Sequence, residues 1–519
     1  MPADNRRWWT LGAMCFALFM IMLDNTVVNV ALPAIQKDLD TSIGGLEWTV
    51  NAYTLSFAVL LVTGGRLGDI FGRRRMFLFG VLVFGLSSAF IGFSQTEAWL
   101  VAGRTVQGIG AAFMMPATLS IIANAFPPHE RGKAIGTWAG VSAMALAIGP
   151  VVGGFLVENV SWQSIFFLNV PVALIAVVVT LAAAHESRDE TATHHVDVPG
   201  VAALSVGLGS LVLALVEANS WGWGSASILA LLAVAVVALA LFAIAETRAP
   251  EPMVDFRFFR SRSFLGANLV AFIVSFGMLA MFFFLALYMQ NVRGYSPLQA
   301  GVRFLPATVV IILVGPIAGR LSDRIGPRPL MTAGLVIVSG SLFWQGHLAP
   351  DTSYGFLVGA FVLMGLGMGL VMSPMSTAAM NAVDQAKAGV ASGVLSMSRM
   401  VGGTFGVAAM GALITAIGRS HLDQLLPGLP AERRAQLADG LGAGGLRVGG
   451  RIGAAVQDAF VASLNDGLRI ASALTLVGAL AAWLLIADRV KAPAESDAEA
   501  GAEAAAAKPA AEPAPAEAA

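Results

Sequence analysis

Gly65-Arg66-Leu67-Gly68-Asp69-Ile70-Phe71-Gly72-Arg73-Arg74-Arg75 is a short charged run between two apolar stretches, 46 to 65 and 75 to 94. A weaker copy, Gly319-Arg320-Leu321-Ser322-Asp323-Arg324-Ile325-Gly326-Pro327-Arg328, follows 254 residues later (319 minus 65), between apolar stretches at 298 to 319 and 328 to 348. A charged run that returns once, in the same place between two apolar stretches, marks an internal duplication. Each stretch has about the 20 residues that a helix needs to cross roughly 30 Å of hydrocarbon. The duplicated unit therefore reads as a bundle of membrane-spanning helices.

Composition agrees with this reading. The 519 residues are 57% hydrophobic and 12% charged, against roughly 25% charged in an ordinary soluble domain, which excludes a conventional soluble protein. The net charge of -1, from 31 Lys+Arg against 32 Asp+Glu, gives no sign of nucleic acid as a partner. The single cysteine, Cys15, lies inside the first apolar stretch, so neither a disulfide within the chain nor a cysteine metal site is available. Met1 to Arg7 leads into an apolar run with no small-residue cleavage site, which predicts a retained first helix.

Apolar runs bounded by charge, Pro or Gly clusters predict helices over 9–34, 46–65, 75–94, 98–123, 132–157 and 163–184. Two more are predicted over 198–217 and 226–245, then six over 263–288, 298–319, 328–348, 354–380, 388–416 and 468–488. The expected fold is an all-α polytopic membrane protein of fourteen transmembrane helices; a barrel is excluded because these runs do not alternate apolar and polar residues. The expected organisation is a six-helix bundle over 1–190, two inserted helices over 191–250, a second six-helix bundle over 251–490 with an outer loop at 417–467, and a disordered cytoplasmic tail over 491–519. With the N-terminus inside, short inner segments hold nineteen Lys and Arg, and short outer ones hold only Lys37, Arg293 and Arg303. That bias orients both termini to the cytoplasm.

At these residues the chain resembles the major facilitator superfamily, and within it the fourteen-helix drug:proton antiporters, over about residues 9 to 490. The Gly65–Arg75 run is similar to the family's signature between its second and third helices, with Ile70 where many members carry a basic residue; the second copy keeps one, Arg324. Leu23-Asp24-Asn25-Thr26-Val27-Val28-Asn29-Val30-Ala31-Leu32-Pro33 resembles the first-helix motif of the fourteen-helix branch. Arg104-Thr105-Val106-Gln107-Gly108-Ile109-Gly110-Ala111-Ala112 resembles the proton-transfer motif, and Gly149-Pro150-Val151-Val152-Gly153-Gly154 the antiporter motif; Phe167-Leu168-Asn169-Val170-Pro171 completes the set. The resemblance implies proton-coupled efflux of amphipathic or cationic small molecules by alternating access, from the plasma (inner) membrane. It implies no enzyme activity and no cofactor, the proton gradient being the energy source.

The residues can be weighed on their own chemistry. A carboxylate deep in a helix costs roughly 2.5 to 3.5 kcal/mol on insertion scales, so Asp24 is either a proton or cation-substrate handler or an acid held permanently by a neighbour. At a rise of about 1.5 Å per residue, Asp24 and Arg104 lie within roughly 6 Å of each other in depth, which suits a pair. Arg399, also near the midplane, is a second candidate for relay or substrate contact, with a bridge to backbone carbonyls as its alternative. Gly65, Gly68, Asp69, Gly72, Arg73 and Asp323 are expected to form a conformational latch: the acids cap helix ends across the interface and the glycines allow close approach. Gly149, Pro150, Gly153 and Gly154 combine a kink with close helix packing.

Candidates for a polar substrate cavity are Asn25, Asn29, Asn51, Tyr53, Gln107, Asn268, Tyr288, Gln290 and Gln345, with Trp48, Trp138, Phe272 and Phe276 as aromatic members. The histidines at 185, 194 and 195 have no metal-site spacing, and no phosphate loop, catalytic carboxylate pair or Ser-His-Asp order is present. Expected partners are a small-molecule substrate, protons and membrane lipid, with a periplasmic adaptor left open. A proton-coupled importer of a small metabolite, a lipid-modifying membrane enzyme and a non-transporting membrane sensor are the competing functions.

Overall fold

A computed structural model describes residues 3–41, 43–190, 197–249, 252–442 and 450–487. Among these residues the chain is helical throughout, with no strand. The first half contains α1 (Ala3–Leu39), α2 (Ile43–Phe71), α3 (Arg73–Gly92), α4 (Glu97–Ala125), α5 (Pro128–Asn159), α6 (Ser164–Phe167) and α7 (Asn169–Ala183). Then come α8 (Val198–Trp221) and α9 (Ala226–Arg248). The second half contains α10 (Arg262–Leu287), α11 (Pro297–Arg303), α12 (Leu305–Ile325), α13 (Pro327–Gln345), α14 (Tyr354–Asn381), α15 (Ala388–Leu425), α16 (Ala431–Gly442) and α17 (Gly450–Leu485).

Local chemistry fixes many of the helix starts. Thr96, Ser225 and Ser261 accept hydrogen bonds from first-turn amides of α4, α9 and α10, and Asp197 does so for α8. Ser296 and Gln299 form a reciprocal capping box at α11. The two copies of the charged run make the same turn: a single glycine at positive φ, Gly72 (110°) or Gly326 (86°), separates α2 from α3 and α12 from α13.

Among the described residues, twelve helical runs are long and apolar enough to cross a membrane. The expectation of fourteen adds α5 and α13, which are not among the twelve; α5 packs on α1 and α12, and α13 on α14 and α17. Three other expectations change in detail. The span predicted over 163–184 is divided into α6 and α7 at Leu168, just ahead of Pro171. The span predicted over 298–319 is divided into α11 and α12 at Phe304, ahead of Pro306, and α10 ends in a π-helical turn at Tyr288–Val292.

The expected outer loop over 417–467 is mostly helix, because α15 runs on to Leu425, α16 follows, and α17 begins at Gly450. The early part of α17 is held by an apolar stripe of Val456, Ala459, Phe460 and Leu464, all buried. The expected tail over 491–519 and the histidines at 194 and 195 lie outside the described residues.

Packing follows the duplication. Within the first half α4 packs on α2 and α3, and α1 on α5 and α7; within the second, α10 packs on α15 and α17, and α14 on α12 and α13. The halves meet through α2 on α15 and, as the matching pair, α12 on α5. The inserted α8 and α9 pack on each other, and α8 also touches α2 and α15.

Candidate functional site

The first site is a buried charge pair in the first half. Asp24 of α1 is 4% exposed and Arg104 of α4 is 1% exposed, with Arg104 Nη1 donating to Asp24 Oδ2 at 2.5 Å. The remaining polar atoms are closed locally. Gln107, one turn along α4, accepts from Arg104 Nη1 (2.6 Å) and donates through Nε2 to Asp24 Oδ1 (3.0 Å) and to Ser88 Oγ of α3 (2.8 Å). Asn169, at the start of α7, donates to Asp24 Oδ1 (3.1 Å) and to Ser88 Oγ (3.3 Å). Arg104 Nε donates to the Thr49 carbonyl of α2 (3.1 Å), and the guanidinium lies 4.2 Å from the centre of the Tyr53 ring. Four helices besides α1 thus contribute to one carboxylate and its arginine, so that both carboxylate oxygens are paired, as a low-dielectric interior requires.

Of the expected site residues, Asp24, Arg104, Gln107 and Tyr53 come together here. Ser88 and Asn169 were not anticipated. Asn169 stood inside the quoted Phe167–Pro171 run, but Ser88 has no signal in an apolar helix where a serine is unremarkable. Arg399 makes its contact within the second half, donating to Ser376 Oγ of α14, and its Nε has no partner among the described residues.

The remaining cavity candidates are dispersed. Asn25 and Asn29 donate back to carbonyls of their own helix, at Ile21 and Asn25. Asn51 reaches Glu217 of α8 (3.0 Å), Trp138 donates to Thr118 Oγ1 (3.2 Å), and Asn268 accepts from Ser398 (2.9 Å). Tyr288 donates to the Ala349 carbonyl (2.6 Å) and Gln345 to Ser341 (3.0 Å). Gln290 is half-buried in the π-helical turn, and Trp48 is exposed. Phe272 and Phe276 both pack on Phe405. Phe272 also lines an apolar cavity of about 370 Å³ where α8 and α9 meet both halves, together with Val62, Leu208, Phe242 and Met397.

The second site lies at the turns that carry the repeated charged run. The carboxylate of Asp69, at the end of α2, accepts from the backbone amides of Gly389 (2.9 Å) and Val390 (2.8 Å) in the first turn of α15. Arg73 donates to Asp69 Oδ1 from both Nε (2.8 Å) and Nη2 (2.6 Å), and Nη2 also reaches the Gln385 (2.9 Å) and Ala386 (2.5 Å) carbonyls. The other copy makes the matching arrangement: Asp323 of α12 accepts from the amides of Gly132 (3.0 Å) and Lys133 (3.3 Å), the fifth and sixth residues of α5.

Each half thus caps a helix of the other with an acid at its positive end. Side-chain-free backbone permits the approach, since a Cβ at Gly65 would collide with the Gly389 carbonyl, and one at Gly319 with that of Gly132. Gly72 faces Glu186, whose carboxylate accepts from the Arg74 (3.0 Å) and Arg75 (3.2 Å) amides. Gly68 departs from expectation: a Cβ there would meet only Arg73 at ordinary van der Waals distance, so no neighbouring helix demands a glycine.

In the Gly149–Gly154 run, α5 passes through Pro150 without a break in the helix. Gly149 packs against Thr26 and Gly153 against Val27, both of α1 and adjacent to the Asp24 turn, whereas a Cβ added at Gly154 would meet nothing within 4 Å.

Residues 14–407 match the profile of the Major Facilitator Superfamily. The chain belongs to this superfamily. It is therefore an integral membrane transporter. It is 36% identical over 491 residues to the Tetracenomycin C resistance and export protein of Streptomyces glaucescens, covering 92% of this chain and 91% of that relative. It is 35% identical over 423 residues to the Multidrug resistance protein Stp of Mycobacterium tuberculosis, covering 80% of this chain and 78% of that protein. Among solved structures, a double-tryptophan XylE mutant superposes with a TM-score of 0.63 over 95% of this superfamily member and 98% of that chain, at 13% identity, which speaks to the fold alone.

Proposed function

We propose that this transporter exports amphipathic or cationic small molecules, antibiotics among them, in exchange for protons, by alternating access in the plasma membrane. The observation that carries the proton coupling is the Asp24 network, an acid sealed in the first bundle and paired, among the described residues, with one cation, Arg104. A proton on Asp24 Oδ2 removes the charge that Arg104 pairs with, and leaves Arg104 supported by Thr49, Gln107 and the Tyr53 face. Loading and unloading that proton changes what α1 and α4 hold between them. Because Gly149 and Gly153 of α5 pack beside the Asp24 turn, the change is passed to the helix that meets α12 across the interface. Export is favoured over import by the Gly149–Gly154 run and by the resistance and export relatives. With α5 and α13 counted as crossings, the apolar runs make fourteen, and the excess of basic residues then falls on one set of connecting segments, which supports both termini in the cytoplasm.

The deciding experiment is accumulation of a fluorescent cationic dye in energised cells. Wild-type expression should lower accumulation, and an uncoupler should abolish the effect. Asp24→Asn, which keeps the shape of the side chain but holds one charge state, should insert normally and leave accumulation at the level of non-expressing cells. Wild-type export by Asp24→Asn would remove Asp24 from the proton cycle.

A further inference from the structure

The inserted helix α8 carries a carboxylate that the Asp24 cycle does not use. Glu217 is 5% exposed, and it accepts a hydrogen bond of 3.0 Å from Asn51 Nδ2 of α2. Two residues on, Asn219 Nδ2 donates to the Ala408 carbonyl of α15 at 3.3 Å. Within one turn, α8 therefore holds a helix of the first half and a helix of the second. The turn lies at the end of the bundle away from the two caps, because α8 starts beside Glu246 and Arg66 near the Asp69 cap and Glu217 is near its far end, Trp221.

The charged surroundings of Glu217 are sparse. From α2 it faces Glu47, one turn from Asn51 and of the same sign. The helix α9 carries no charged residue between 226 and Glu246, and α15 has none between Arg399 and Arg419. The Asp24–Arg104 pair lies across α2, held at the Thr49 carbonyl and the Tyr53 ring. No cation is paired with Glu217 among the described residues. A buried acid with one amide donor, a like-charged neighbour and no cation is accommodated neutral, and its charged form needs water.

We propose that Glu217 is a second proton-binding site of the transporter, exchanging its proton with the aqueous phase at the Trp221 end of α8 and deciding whether α8 clamps the two halves there. With the proton on, the neutral carboxyl stays between α8 and α2, Asn219 stays on α15, and that end is closed. When the proton leaves to water, the carboxylate is repelled by Glu47 and draws solvent, so the α8–α2 contact loosens and that end opens. The role in transport rests on the antiport reading, but proton binding at Glu217 does not.

The test uses purified full-length protein. Infrared difference spectra between acid and alkaline buffer should contain a protonated-carboxyl band that Glu217→Gln removes and Asp24→Asn retains. On a Cys15→Ala background, spin labels placed at the Trp221-side ends of α2 and α15 should move apart as pH rises in the wild type. In Glu217→Gln, a permanently neutral mimic, they should stay at the acid separation at every pH. Asn51→Leu, which removes the partner but not the acid, should keep the band at a shifted midpoint. A spectrum and a label separation that Glu217→Gln leaves as in the wild type would overturn the proposal. Wild-type export that an uncoupler leaves unchanged would defeat the antiport reading instead, and would leave the infrared result standing.

Discussion

Asp24 is held by three donors from two helices, and the consequence of losing any one depends on what remains buried. Asn169→Ala strips a donor from a charged acceptor, so the protein should lose about 1.5 to 3 kcal/mol of stability, the usual worth of a hydrogen bond to a charged group; denaturant unfolding in detergent measures it. A loss no larger than that of a surface Asn→Ala control would mean that water replaces the amide. Arg104→Lys should keep the charge but not the three-way contact with Asp24, Gln107 and the Thr49 carbonyl, because an ammonium lacks the planar fork. Partial dye export by Arg104→Lys and none by Arg104→Ala is the expected order, and equal rates would reduce Arg104 to packing. At this scale the sequence exposed the two charges, because an ion inside an apolar run is conspicuous. It did not expose Ser88, whose part is assigned only by where α3 stands beside α4 and α7.

At the scale of elements, the two caps use the same geometry with unequal support. Asp69 has two amides and a bidentate arginine that also ties down the Gln385 and Ala386 carbonyls; Asp323 has two amides, one of them longer at 3.3 Å. A cap of this type contributes about 0.3 to 2 kcal/mol. Asp69→Ala should therefore shift the balance away from the state closed at the caps by about 2- to 30-fold, and Asp323→Ala by less. Labelling of a reporter cysteine from the opposite face should fall in that order, and no change in either variant would leave the turns as topology signals only. The segment leading into α10 supplies a pH control. Burial pushes the Asp255 carboxyl up, but Lys387 at 3.0 Å and the Arg257 amide at 2.9 Å outweigh it and hold the group below the usual range. A lowered folded pKa stabilises above the unfolded value of about 3.9 and is lost only as pH falls through the folded one. Asp255→Asn should thus lower the melting temperature equally at about pH 5 and pH 8, by an amount worth about 0 to 1 kcal/mol because Lys387 is 37% exposed and screened. A decrement that grows between those values would contradict the assignment. The caps were legible because glycine, aspartate and arginine recur at fixed spacing. The helical 417–467 region was not, because its polar face mimics a loop and only the buried stripe of α17 shows otherwise.

For the whole molecule, the apolar runs were enough to give an all-helical membrane fold, since the length of each run is set by the bilayer rather than by tertiary contacts. Which faces meet was not readable, and this is why the expected cavity residues are dispersed while α8 proves to touch both halves. The exchange of caps also bears on how the chain assembles. Neither half is complete alone: a first half without its counterpart would leave the start of α5 without the Asp323 carboxylate and Asp69 with no helix to meet, and the second half would have the reciprocal deficits at α15 and Asp323. The interface is in this respect isologous, like that of a two-fold dimer fused into one polypeptide. Fragments severed between α9 and α10 would therefore carry complementary vacancies, and the pairing of those vacancies, more than the covalent link, would determine which partner each fragment accepts.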